Sequence, residues 1–378
     1  MSIRCLLITS MYPSPDNVYQ GMFIHSRLIQ YKKMGLSADV FKCSMDDTVG
    51  VTEYDGIKVY GGHFKHLNDF LSKHDYQTVL IHFFSEAIWS NIKHHVLGRK
   101  IIVWVHGVEV QGWWRRKHNF LTTQQVEQAK VYWARRKKFW REIFELACSN
   151  QYNFHFVFVS KYLAESAFED IRVMPPLHKF SIIHNYIDGE LFSYEQKEDS
   201  QRKKILSIRP FSNLNYANDL TVKALLALSN DPIFHELQIH IIGRGELFAT
   251  TLEPLREFKN VTIEERFMQR EEISNLHKEY GVFLVPTRMD SQGVSRDEAM
   301  ASGLVPITNR VAAIPEFVDQ DCGLIAEPED YHGLAQNIKK LYDDPSLFQR
   351  LSRNAAERVR RQSGFENTIL REMNLIQG

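Results

Sequence analysis

Residues 286–303 read PTRMDSQGVSRDEAMASG, a glycine-containing loop that follows an apolar run and leads into a helical pattern beginning near Ser295. Backbone N–H groups in such a loop, together with the partial positive charge of a helix N-terminus, make a site for an anion. Two carboxylates flank it, Asp290 and Glu298, eight residues apart. A carboxylate accepts two hydrogen bonds, so each can hold a vicinal diol of the kind that sugars and ribose present. An anion site between two diol acceptors is what a sugar nucleotide requires. Glu298 would also complement the helix dipole, worth about 0.3–1 kcal/mol, and the two roles are compatible.

Three other residues have suitable chemistry. Arg209 ends the apolar run ILSIRPF; a guanidinium stays charged and grips phosphate oxygens as a fork. Gly21, in YQGMFIHSRL, precedes a helical stretch, where a missing Cβ lets the backbone approach a phosphate. His106, in IIVWVHGVEV, closes a continuously apolar run; an imidazole can donate to a hydroxyl or assist proton movement.

These residues need elements to hold them. Short apolar, β-branched runs predict strands over 4–9, 38–41, 78–83, 100–105, 154–159 and 180–183, and again over 205–208, 238–242, 282–285, 304–307 and 323–325. Helical stretches separate them, at 22–33, 126–146, 219–228, 270–278, 297–301 and 331–342. Strands alternating with helices imply parallel sheets covered by helices, and IIVWV and GVFLVP have the continuous apolar character of such strands. Residues 193–204, SYEQKEDSQRKK, are polar without apolar periodicity and predict a linker. The expectation is an α/β chain of two Rossmann-like domains facing each other across a cleft: 1–192, then 193–364, with the helical 365–378 returning to the first. Open α/β sheets place ligands at the carboxyl ends of their strands.

Composition narrows the classes. The 378 residues are 44% hydrophobic and 24% charged, with 46 basic and 46 acidic side chains, which excludes disorder and a uniformly basic nucleic-acid binder. Four widely spaced cysteines make neither a zinc knuckle nor a disulfide framework and predict reduced thiols. The N-terminal MSIRCLLITSMYPS lacks a signal peptide's long apolar core, and no apolar run approaches the ~18 residues of a membrane span. A cytoplasmic protein is expected.

The segment 286–303 resembles the E-x7-E region of family 4 retaining glycosyltransferases of the GT-B fold. The resemblance continues in NRVAAIPEFVDQDCGLIAEPED (309–330), in the domain-crossover segment IIHNYIDGELF (182–192) and in the turn IIGRGEL (241–247). It covers roughly 180–330 well and the first half thinly. It implies that Asp290, Ser291, Gln292, Gly293 and Val294 hold the donor sugar and diphosphate, with Glu298 on the ribose. It implies Arg209 on the diphosphate, Gly21 and Gly243 in backbone loops at the donor, and His106 beside the reacting carbon or the acceptor. Asp290 is a methylene shorter than the family's usual Glu, and Gln292 replaces its Phe. Where the family places a lysine after the arginine, this chain has Asn215; Lys223 and Arg244 are the nearby cations.

The activity implied is transfer of a sugar from a nucleotide-diphosphate donor, UDP-sugar being the family's commonest, to a glycan or lipid-linked hydroxyl with retention, in cell-surface polysaccharide synthesis. No metal or other cofactor is implied. Asp319-Gln320-Asp321 spells the D-x-D of a different transferase fold but sits in a polar loop after Pro315-Glu316. A sugar-nucleotide epimerase of the same architecture and a non-catalytic sugar-nucleotide-binding subunit stay open. Phe267 and Met268 are carried over to the base. Residues 91–142 hold twelve Lys or Arg against three acids, interleaved with Trp113, Trp114, Phe120, Tyr132, Trp133, Phe139 and Trp140. That mixture suits an anionic membrane surface, and equally an acidic glycan or nucleic acid, or else a solvated basic helix with its aromatics in the core; peripheral docking at the cytoplasmic leaflet is the expectation. WWRRKHNF (113–120), just after His106, is expected on the acceptor side.

Overall fold

A computed structural model describes residues 4–14, 20–45, 47, 49–149 and 151–378. Met1, Ser2 and Ile3 of the amino-terminal run and Tyr19 of the motif around Gly21 lie outside the described residues. The chain forms two compact units: Met1–Trp113, Gln124–Tyr186 and Glu366–Gly378 make the first, and Trp114–Thr123 with Ile187–Phe365 the second.

The first unit's strands are β1 (Cys5–Thr9), β2 (Ala38–Ser44), β3 (Gly50–Tyr54), β4 (Ile57–His63), β5 (Thr78–His82), β6 (Lys100–Val105), β7 (Asn153–Phe158) and β8 (Phe180–Ile182). They form one sheet in the order β3-β4-β2-β1-β5-β6-β7-β8, with only the β3–β4 pair antiparallel. Its helices are α1 (Met22–Lys33), α2 (Phe64–Lys73), α3 (Glu86–Ile92), α4 (Thr123–Cys148) and α5 (Lys161–Ile171). Successive strand residues face opposite sides of the sheet. Leu6, Ile8, Val79, Ile81, Ile101, Val103, Phe154 and Phe156 pack into one core. Cys5, Leu7, Leu80, Ile102, Trp104 and Val157 pack into another. Two buried faces explain why these strands read as continuously apolar.

The second unit's strands are β9 (Lys204–Ile208), β10 (Gln238–Gly243), β11 (Val261–Glu265), β12 (Val282–Leu284), β13 (Val305–Asn309) and β14 (Leu324–Ala326). All pair in parallel, in the order β11-β10-β9-β12-β13-β14. Helices α6 (Asn218–Leu228), α7 (Phe248–Leu252), α8 (Arg270–Glu279), α9 (Val294–Ala301), α10 (Ile314–Phe317), α11 (Tyr331–Asp343) and α12 (Pro345–Ser363) cover it. The chain winds outward from β9 to β11, then restarts on β9's other side with β12. This reversal between β9 and β12 is where open α/β sheets leave a ligand crevice.

The last helix, α13 (Ile369–Gln377), belongs to the first unit. Ile369, Met373 and Ile376 join its core, and fully buried Glu372 accepts from Arg27 Nε (3.0 Å), Tyr31 OH (2.6 Å) and Trp104 Nε1 (2.9 Å).

Residues 193–204 differ from a solvated linker. Lys197 is buried and donates from Nζ to the His277 carbonyl at 2.5 Å, while Gln201 Nε2 donates to the Lys278 carbonyl at 2.7 Å. The polar side chains reach backbone carbonyls near the end of α8, so the segment lies down on the second unit without apolar periodicity.

Candidate active site

Arg209 follows β9 directly and Asp290 lies on the loop after β12, so adjacent strands deliver both to the crevice. Gly243, at the end of β10, lets the strand ends close up: a Cβ there would stand 2.0 Å from the Arg209 carbonyl oxygen and 2.7 Å from the Phe211 ring. Gly243 is therefore required by packing, and it supports Arg209 from behind.

Arg209 is 5% exposed, and its guanidinium sits 4.9 Å from the Tyr216 ring centroid. Among the described residues one long hydrogen bond leaves it, from Nη1 to Ser295 Oγ at 3.4 Å, and Nε and Nη2 have no partner. Burial lowers its pKa, and the nearby Asp290 carboxylate opposes that. A buried charge with two unsatisfied donors is expensive. An anion that accepts from both donors removes that cost.

The loop supplies further donors. Gly293 (φ 94°) opens α9 with no side-chain cap, and the N–H groups of Gly293, Val294 and Ser295 make no hydrogen bond among the described residues. Asp290 Oδ1 accepts from the Gln292 N–H at 3.1 Å, which folds the loop on itself. Gln292 turns inward: its Nε2 donates to Asp297 Oδ2 at 3.0 Å, and its carbonyl accepts from Arg296 Nη2. Arg296 and Asp297 form an ion pair buried beneath the loop. Gln292, expected among the donor contacts, is thus committed through its N–H and its side chain to holding the loop's shape. Ser291 lies on the same loop, partly exposed.

Glu298 sits one turn into α9. Burial pushes its pKa up from 4.5 to about 7, against the Arg270 guanidinium, whose Nη2 lies 3.4 Å away. Asp297 and Asp188 push it further up. Arg270 at the start of α8, Tyr216 and Ser295 are site residues that sequence reasoning missed, because only the fold brings them within reach.

Asn215 lies beside Tyr216 in a short 3-10 turn, and its carbonyl accepts from the Thr287 hydroxyl (2.8 Å) and the Arg288 N–H (2.7 Å), next to the 290–293 loop. Its Oδ1 accepts from His118 Nε2 (2.7 Å) and Asn119 Nδ2 (2.9 Å). Of WWRRKHNF, Trp113 belongs to the first unit and the rest, within Trp114–Thr123, to the second. Of the nearby cations, Lys223 pairs with Asp219 at 3.4 Å and Arg244 lies 5.7 Å from the Phe267 ring. Met268 is buried and Phe267 is exposed. Asp319 of the D-x-D triplet pairs with Arg358 and accepts from the Asp321 N–H at 3.0 Å.

In the first unit, Gly21 (φ 75°) opens α1 without a side-chain cap, and a Cβ there would stand 2.7 Å from the Met11 carbonyl oxygen. His106 follows β6, and its Nε2 meets Nδ1 of buried His82 at 2.9 Å, the rings stacked at 5.2 Å. Burial, with the Arg27 charge, pushes His106 down to about 3 and His82 well below its usual range. His106 is therefore neutral at ordinary pH. It can exchange hydrogen bonds but is too weak a base to hold a proton.

The aromatic residues of 91–142 divide. Trp133, Phe139 and Trp140 lie in the first unit's core, contrary to a membrane-facing arrangement, because α4 must cover the sheet along that face. Leu121, Val131, Tyr132 and Trp114 are exposed.

Comparison with solved structures defines the fold. The chain superposes with a TM-score of 0.74 on sucrose-phosphate synthase from Thermosynechococcus elongatus, at 15% identity over 99% of this chain and 98% of that one. Anabaena HepE, solved with UDP and glucose, gives 0.68 at 12% identity over 99% of each chain. The fold is GT-B. Residues 202–344, within the second unit, match the family of glycosyl transferases group 1. Among curated proteins the chain is similar to N-acetyl-alpha-D-glucosaminyl L-malate synthase of Bacillus anthracis, 25% identical over 53% of this chain and 54% of that protein. It is also similar to the capsular polysaccharide biosynthesis glycosyltransferase CapM of Staphylococcus aureus, 31% identical over 26% of each. The chain spans about half the length of the first of these relatives.

Proposed function

We propose that the chain is a glycosyltransferase that binds a nucleotide-diphosphate sugar in its second unit and transfers the sugar to a hydroxyl group. The observation that carries this reading is Arg209: a buried guanidinium with two unpartnered donors, beside the uncapped N-terminus of α9 and between the carboxylates Asp290 and Glu298. Anion donors flanked by diol acceptors match a sugar nucleotide in charge and order. The leaving diphosphate gains negative charge as the glycosidic bond breaks, and Arg209 with the loop N–H groups stabilises it electrostatically. Asp290 orients the donor sugar. His106, neutral, accepts or donates a hydrogen bond at the sugar or acceptor. The departing phosphate oxygen is the base that takes the acceptor's proton, which suits a site whose histidine does not hold one, and it favours attack on the same face with retention.

UDP is the donor nucleotide we favour, supported by neighbours solved with UDP. A glycan or lipid-linked acceptor and a role in cell-surface polysaccharide synthesis draw support from the capsular relative. No metal is required for the leaving group in this reading. The protein works in the cytoplasm; no helix among the described residues is long and apolar enough to cross a membrane. Exposed Val131 and Tyr132 with Lys138 and Arg141 offer a peripheral contact with anionic lipid. The test is a melting-temperature screen of UDP, GDP and ADP and their sugars, followed by a donor-hydrolysis assay. A donor should raise the melting point according to its concentration over Kd and release nucleoside diphosphate. Interconversion of the donor sugar without release would instead identify an epimerase, and binding without turnover a sugar-nucleotide-binding subunit.

A further inference from the structure

Asn215 stands where the resembling family has a lysine, and a chain of hydrogen bonds fixes what it presents. The Leu214 N–H can only donate, and it donates to Asn119 Oδ1 at 3.0 Å. Asn119 must therefore offer its Nδ2 to Asn215 at 2.9 Å, and the Asn215 atom that receives it must be Oδ1. His118 meets the same oxygen from Nε2 at 2.7 Å, so its proton sits on Nε2. The Asn215 N–H is taken by Asn213 Oδ1 at 3.0 Å, and its carbonyl by Thr287 and Arg288. Among the described residues every polar group of Asn215 is engaged except the amide Nδ2.

We propose that His118 and Asn119 are positioning residues of the donor site, holding the Asn215 amide so that its Nδ2 hydrogens donate to the diphosphate in place of a lysine ammonium. This rests on the donor-site reading above. Asn215 is joined to that site on two sides. Its neighbour Tyr216 stacks on Arg209, and its carbonyl is bonded to the residues leading into the Asp290 loop. A lysine at 215 would turn an ammonium toward two donors, so Asn215 goes together with His118 and Asn119.

The test is calorimetric binding of whichever of UDP, GDP and ADP the full chain binds, compared with the matching monophosphate. N119D keeps the acceptor for Leu214 but turns an oxygen toward Asn215, which rotates the Asn215 amide and presents its carbonyl to the site. N215D keeps both acceptor contacts and presents a carboxylate oxygen. Each variant loses one hydrogen bond to a charged group, worth about tenfold or more in affinity. Each variant should therefore weaken diphosphate binding by about tenfold or more while changing monophosphate binding little. N215K should also bind the diphosphate more weakly than the parent. Equal loss for both nucleotides, unchanged diphosphate binding, or tighter binding by N215K would overturn the proposal. R209M separates the two claims: loss of binding in R209M without loss in N119D or N215D refutes this inference alone. Failure of the parent, or of R209M, to show the expected binding behaviour refutes the donor-site reading and this proposal with it.

Discussion

Glu298→Gln should make the ligand-free protein more stable and its nucleotide binding weaker. The Glu298 pKa rises from 4.5 in the unfolded chain to about 7 in the folded one, chiefly through burial. The sign follows from linkage: the state that holds its proton more tightly is favoured at low pH, so stability falls as pH rises from about 4.5 to about 7 and levels off above. At about 1.4 kcal/mol per tenfold change, ionised Glu298 costs the folded state about 3 kcal/mol at pH 8 and under about 1 kcal/mol at pH 5. Glutamine resembles the protonated acid and keeps an oxygen for Arg270. Near 2–4 °C per kcal/mol for a body this size, the second unit of E298Q should melt about 6–12 °C higher than the parent at pH 8. At pH 5 the gap should be small. Calorimetric melting at the two pH values, with nucleotide titrations alongside, reads both effects. A melting difference that is zero or negative at pH 8, or the same at both pH values, would refute the reasoning.

Parent nucleotide affinity should rise with pH through about 7 as Glu298 ionises, and E298Q should flatten that profile in fluorescence titrations. Arg209→Met removes a buried cation with two unpartnered donors; its denaturant midpoint should not fall, while calorimetric diphosphate affinity drops by about a hundredfold or more. Glu372→Ala strands the buried Arg27 charge and two further donors, and urea unfolding should report a loss of about 3–5 kcal/mol. His106→Asn should lower the transfer rate without removing any ionisation between pH 5 and 8, because the pushed-down imidazole does not titrate there.

The parallel core was legible because strands buried on both faces are apolar throughout, as in IIVWV, and because the glycine loop and its two acids share one short stretch. The β3–β4 hairpin lies outside the expected strands although it carries a local signal: Asp55-Gly56, both with positive φ, is a two-residue turn between two paired segments. In α12 the apolar residues Leu347, Phe348, Leu351, Ala355, Ala356 and Val359 lie at helical spacing, hidden by arginines between them. The partners of the site were not legible in the same way. Arg270 reaches Glu298 across 28 residues, and Asn119 reaches Asn215 across 96. Such pairs are set by long-range packing, which no local pattern encodes. The polar run 193–204 read as a linker because its anchoring is by lysine and glutamine onto carbonyls.

A crystal structure of the chain with an intact nucleotide-diphosphate sugar tests the central claim most directly. The account predicts phosphate oxygens within hydrogen-bonding distance of Arg209 Nε and Nη2 and of the Gly293–Ser295 N–H groups, a ribose on Glu298 and a hexose hydroxyl on Asp290. A nucleotide ordered elsewhere, with Arg209 still unpartnered, would contradict it.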